Sequence, residues 1–155
     1  MIYPVFFDTK KTLNLYGLTD NFNFLKNLFL QRKLPKVLML SGKKGSGKST
    51  LINHLMFFIF DKQNYDETTY EFSSHSFFYN QFVNNTYTNI IYLSGSNFKN
   101  TKVDDIRNLK TKIFQSTISN KPRFIIFDDV ELFNKNSLNA LLKLIEEPAE
   151  KNYFI

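Results

Sequence analysis

The sequence predicts an α/β fold, a parallel sheet flanked by helices, and three observations carry that expectation. Short, nearly all-apolar runs recur at residues 37–40, 90–93 and 124–127. Segments of helical periodicity separate them. A glycine-rich turn directly follows the first run and leads into a helix. Strands that alternate with helices along one chain pair in parallel, because each crossover returns the chain to the same end of the sheet.

In chain order, residues 20–31 read as a helix, with Phe22, Leu25 and Leu28 on one face and Phe24 beside them. Pro35 interrupts it. The run 37–40 (Val-Leu-Met-Leu) then reads as a buried strand, since an apolar run bounded by Pro and Gly fits a strand covered on both faces. A helix is expected over 48–60. Residues 61–88 are polar and aromatic without a clear period, too long for a plain loop, and read as an insertion with some structure of its own. A second strand follows at 90–93. The next helix is expected over 103–114, with Thr101 as its cap and Asp104 and Asp105 suited to the first-turn dipole. A third strand lies at 124–127. Leu138, Leu141, Leu142 and Ile145 are spaced i, i+3, i+4, i+7, an amphipathic helix stopped at Pro148. Tyr153, Phe154 and Ile155 read as the opening of a fourth strand, at which the sequence stops.

A chain of 155 residues suits one domain, and 43% hydrophobic against 22% charged residues is a globular balance rather than a disordered one. The abundance of Phe and Asn matches what an AT-rich coding sequence would produce and carries little functional weight. With no Cys, disulfides and thiolate zinc sites are excluded. Met1, Ile2, Tyr3 and Pro4 lack the basic flank of a signal peptide, and the apolar stretch 51–60 is short and broken by Asn53 and His54. A soluble cytoplasmic protein with no membrane partner is expected. The net charge of +6 suits a polyanionic partner without demanding one.

Residues 42–49, Gly42-Lys43-Lys44-Gly45-Ser46-Gly47-Lys48-Ser49, match G-x-x-x-x-G-K-[ST] in full. Glycines let the backbone turn tightly and bring its N–H groups to phosphate oxygens, and the helix that follows adds its positive end. The expected nucleotide-binding set is Gly42, Lys43, Lys44, Gly45, Ser46, Gly47, Lys48, Ser49 and Thr50. Lys48 is suited to the β and γ phosphates of ATP, and the Ser49 hydroxyl to Mg²⁺. The alternative is a chance Gly/Lys/Ser turn, against which the strand-then-helix context counts.

Asp128 and Asp129 close the third strand, and Glu131 follows. A carboxylate at the carboxyl end of such a strand is where P-loop enzymes hold Mg²⁺, usually through water, and Asp128 is the candidate. Asp129 falls where many hydrolytic P-loop enzymes carry a Glu that polarises the attacking water. It is the candidate catalytic residue, yet one methylene shorter. Asp129 and Glu131 also read simply as acids at a helix entry.

The stretch 123–148 resembles the clamp-loader subunits of bacterial DNA polymerase III. It has an apolar strand, Asp128-Asp129, then Asn139-Ala140-Leu141-Leu142-Lys143 and Glu146-Glu147-Pro148, and the last two segments match the family pattern residue for residue. Val103-Asp104-Asp105-Ile106-Arg107 is similar to the family's segment after its second strand. The Asp-Asp pair is closer to the delta-prime type than to gamma/tau. The resemblance implies an AAA+ type P-loop NTPase fold over 1–155, with its insertion at 61–88 and its fourth strand between the first and third. It further implies ATP and Mg²⁺ as cofactors, a hetero-pentameric ring of clamp-loader subunits, a sliding clamp and primer-template DNA as partners, and an arginine finger supplied by a neighbouring subunit.

Three departures stand beside it. Many relatives carry a Cys₄ zinc module in the region of 61–88, where this chain has no Cys and a lone His75, so no zinc is expected. The sequence stops before the family's Ser-Arg-Cys segment, and its lid and collar domains are missing. A domain truncated at the start of the fourth strand is the expectation. The corresponding helix of the family faces DNA, which assigns Arg107, Lys110 and Lys102 to phosphate contact. The alternative for these three is a solvated face with ordinary charge pairs.

Two other functions compete. A non-hydrolysing structural subunit would keep the P-loop without turnover. A small P-loop kinase would need Arg-rich lid and acceptor segments, whereas Arg occurs only at positions 32, 107 and 123.

Overall fold

The computed structural model describes residues 12–95, 111, 113 and 121–155. The chain divides into two compact units, one built from the segments up to Leu34 and Leu40–Tyr87, the other from Pro35–Met39 and Thr88–Ile155. No helix among the described residues is long and apolar enough to cross a membrane.

The first unit is built on two helices, α1 (Thr19–Leu30) and α2 (Lys48–Phe60). Phe22 and Leu25 are buried one turn apart on α1, while Phe24, between them, is 64% exposed rather than part of the buried face. One residue turns a helix by about 100°, so a neighbour of a buried position points elsewhere. The helix closes on Arg32, whose φ of 57° is left-handed. The Lys33 N–H then donates to Leu28 O at 2.8 Å and Arg32 N–H to Phe29 O at 3.0 Å, which satisfies two terminal carbonyls. α2 is apolar nearly all round and runs through the centre of the unit, with Leu55, Met56 and Phe57 fully buried.

Residues 61–88 carry a 3-10 turn (Lys62–Asn64), an antiparallel hairpin of β1 (Tyr65–Asp66) with β2 (Glu71–Phe72), and α3 (Phe77–Val83). Asp66 Oδ1 accepts from Thr68 N–H at 2.7 Å, which folds the hairpin turn. Ser76 caps α3 by accepting from Tyr79 N–H at 2.9 Å. Aromatic packing joins these pieces to α2. Phe57 stacks on Phe72 with centroids 3.8 Å apart and meets the edges of Phe78 and Phe82.

The second unit is a parallel sheet of β3 (Ile90–Ser94), β4 (Arg123–Asp128) and β5 (Asn152–Phe154), in that order. On the far side of β5, Val37 forms a parallel bridge with Phe154. The Leu38 N–H donates to Phe154 O and the Phe154 N–H to Lys36 O, both at 2.8 Å. β5 therefore lies between the first apolar run and β4, the order implied by the family resemblance. The run 37–40 itself departs from expectation. Among the described residues it pairs only at Val37, and Val37 and Met39 are 43% and 82% exposed, so it is not a strand covered on both faces. β5 is three residues long and offers one short rung for pairing.

α4 (Lys135–Glu146) starts at Asn134, whose side chain accepts from Ser137 N–H at 2.8 Å. Its buried face is Ser137, Leu141 and Leu144, flanked by Leu138 and Ile145, whereas Leu142 is 51% exposed. The expected face is thus rotated towards Leu144. Ile113, Ile125, Phe133 and Phe154 complete this core. Arg123 is buried at the start of β4, and its Nη1 donates to Ile113 O at 2.8 Å.

Candidate nucleotide-binding site

The glycine-rich turn lies in the first unit and leads into α2. Its backbone is left-handed at Gly45 and Gly47, with φ of 80° and 83°. At Gly47, which caps α2, an added Cβ would also lie 2.7 Å from Leu18 Cδ1, so any side chain here meets a left-handed backbone and must displace the end of Leu18. The first backbone hydrogen bond of α2 runs from Leu51 N–H to Gly47 O at 2.8 Å. Helix geometry leaves the N–H groups of Lys48, Ser49 and Thr50 without intrahelical acceptors. Residues 42–46 are exposed, and Lys48, Ser49 and Thr50 are half-buried. The Lys48 ammonium folds back over the turn and donates to Gly42 O at 2.8 Å and Lys43 O at 3.1 Å. The turn is thus an exposed loop with a cation folded over its carbonyls, with three lysines and no carboxylate between 42 and 50. That donor set suits a polyphosphate.

Asp128 and Asp129 lie in the second unit, at the carboxyl end of β4. Asp128 Oδ2 accepts from the Tyr92 hydroxyl at 2.5 Å, and Oδ1 accepts from Asp129 N–H at 3.1 Å. Burial first, then the Asp128 carboxylate, pushes the Tyr92 phenol far above its ordinary range and keeps it a donor. Asp129 has φ 49° and ψ 49°, the left-handed turn that leads into the 3-10 turn Val130–Leu132. The end of β3 closes on this turn. A Cβ at Gly95 would lie 2.1 Å from Asp129 O and 2.9 Å from Leu132 Cβ.

A family model described as "DNA polymerase III, delta subunit" matches residues 17–155. The chain belongs to the delta-prime and gamma/tau clamp-loader family of DNA polymerase III. A delta-prime subunit of Buchnera aphidicola from Schizaphis graminum is 40% identical over 52 residues, 34% of this clamp-loader chain and 16% of the relative. A gamma subunit of Buchnera aphidicola from Acyrthosiphon pisum is 33% identical over 66 residues, 43% of this chain and 18% of the relative. The tau subunit of Bacillus subtilis is 26% identical over 131 residues, 84% of this chain and 22% of the relative. The chain spans well under two thirds of the curated relatives it matches.

Of the residues expected at the site, 42–50 form one continuous turn and helix start in the first unit, and Asp128 and Asp129 adjoin each other in the second. Arg107, Lys110 and Lys102 lie outside the described residues. Tyr92 and Gly95 were not among the expected site residues. A strand tyrosine carries no sequence signal of a carboxylate partner, and Gly95 shows its purpose only through its contact with Asp129.

Proposed function

We propose that this chain is the nucleotide-binding portion of a clamp-loader subunit of delta-prime type. On this reading it takes ATP with Mg²⁺ and works in a ring of clamp-loader subunits that places a sliding clamp on primer-template DNA. The observation that carries the nucleotide part is the Lys48 ammonium, held on the carbonyls of Gly42 and Lys43 over the exposed turn. Lys48 exchanges those carbonyls for β and γ phosphate oxygens, and backbone N–H groups of the turn and of the first residues of α2 orient the phosphate chain. Bound Mg²⁺ would offset charge between the phosphates; Ser49 offers it a hydroxyl and Asp128 a carboxylate.

Labelled ATP binding to the full chain tests this. Lys48→Ala removes a charge-assisted contact worth about 1.5–3 kcal/mol, so affinity is expected to fall at least about ten-fold with the fold intact. Equal affinity in the two proteins would sink the nucleotide reading.

One observation favours a second reading, a subunit that binds ATP without turning it over. Asp129 is held as the left-handed residue of a turn, its N–H given to Asp128. Asp is among the few residues that adopt this conformation routinely, which accounts for its presence without catalysis. The rate of phosphate release separates the two readings.

A further inference from the structure

The Tyr92–Asp128 contact goes beyond the roles proposed so far. In the parallel register of β3 and β4, Tyr92 pairs with Ile126 and Ser94 with Asp128. Residues two apart on a strand share a face, so the Tyr92 ring leans one step along the sheet and its hydroxyl meets the carboxylate diagonally. The two oxygens of Asp128 are then held by different donors, Oδ2 by the Tyr92 hydroxyl at 2.5 Å and Oδ1 by Asp129 N–H at 3.1 Å.

A carboxylate held by one donor still rotates about its last bond. Held by two donors on opposite oxygens, it has one orientation. Each oxygen keeps a further lone-pair site, so the group stays able to accept from water or meet a cation. Two donors already draw charge from it, which favours contact through a coordinated water over direct capture of the ion.

We infer that Tyr92 is a positioning residue, whose hydroxyl sets the orientation in which the Asp128 carboxylate meets hydrated Mg²⁺. This rests on the reading of Asp128 as the carboxylate that faces Mg²⁺ in the nucleotide-bound protein. Removing such a supporting partner typically weakens metal affinity by about 10–100-fold. Tyr92 is half-buried, and Tyr92→Phe removes the hydroxyl while keeping the ring.

The test is labelled ATP binding to the full chain over a free Mg²⁺ series and in EDTA, for the unaltered protein, Tyr92→Phe and Asp128→Asn. Positioning predicts that Tyr92→Phe binds ATP in EDTA as the unaltered protein does. It also predicts that the Mg²⁺ concentration giving half of the affinity gain rises about ten-fold. Asp128→Asn is expected to lose most of that gain. If Asp128→Asn loses it while Tyr92→Phe titrates like the unaltered protein, the positioning role is overturned and the Asp128 reading stands. If Asp128→Asn keeps the full gain, the Asp128 reading fails and takes the positioning role with it. If Tyr92→Phe weakens binding equally in EDTA and in Mg²⁺, the hydroxyl is only structural, and the inference is wrong.

Discussion

His54 is fully buried on α2, six residues beyond Lys48, and makes two hydrogen bonds of 3.0 Å, one between Nε2 and Thr12 O and one between Nδ1 and Tyr65 Oη. A carbonyl can only accept, so Nε2 carries the hydrogen and Nδ1 accepts from the Tyr65 hydroxyl. Protonating Nδ1 would reverse that bond and place a cation against Phe72 and Tyr65, and burial lowers the His54 pKa to about 4. The unfolded chain takes up this proton near pH ~6.5 and the folded chain only near 4, so the unfolded state gains protons first as pH falls. His54 thus contributes stability that is full above pH ~6.5 and lost as pH falls to about 4, roughly 3 kcal/mol by linkage. Urea unfolding at pH 7 and pH 4.5 should show this loss in the unaltered protein and a smaller one in His54→Gln; matching losses would contradict it. The sequence shows His54 only as a polar break in an apolar helix. Its meaning comes from Tyr65, eleven residues on, and from Thr12, which no periodicity brings to it.

At the scale of elements, legibility followed how local each signal is. α2 spans the expected 48–60 because its start is written in the glycine turn and its body in a continuous apolar run. β3 and β4 lie within a residue of their apolar runs. The run at 37–40 is the exception, since a strand exists only where a partner supplies hydrogen bonds, and among the described residues its one bridge is that of Val37 with Phe154. On α4 the i, i+3, i+4 pattern fits two faces a third of a turn apart, and packing of Leu144 rather than Leu142 selects one. The turn after β4 gives an element-level prediction. With the Asp129 carbonyl 2.1 Å from where a side chain would begin, Gly95→Ala must push backbone against backbone. A cost of about 1–3 kcal/mol is expected in urea unfolding. A neutral Gly95→Ala would mean that β3 does not close on this turn.

At the scale of the whole molecule, the sheet order was legible only through the family resemblance, because nothing in a strand's own residues says which strand lies beside it. The parts of the candidate site were legible singly, as a glycine-rich turn before a helix and an acidic strand end, while the Tyr92 and Gly95 contacts around Asp128 depend on strand register. On the proposed function, hydrolysis by the chain alone should be slow. Asp129 is engaged in a turn, and on that proposal an arginine finger, worth about 10³–10⁵ in rate in P-loop enzymes, would come from a neighbouring subunit of the ring. Steady-state phosphate release from the purified chain is expected below ~1 s⁻¹, an ordinary enzyme turnover, and faster release would refute that dependence. The bridge between Val37 and Phe154 has a further consequence, for synthesis on the ribosome. The first apolar run emerges early, and its partner Phe154 follows only more than a hundred residues later. Loop closure across so much chain is slow, and the ladder cannot form until that partner has left the exit tunnel. Until then Val37, Leu38 and Met39 wait as an unpaired apolar edge, a natural binding stretch for a chaperone.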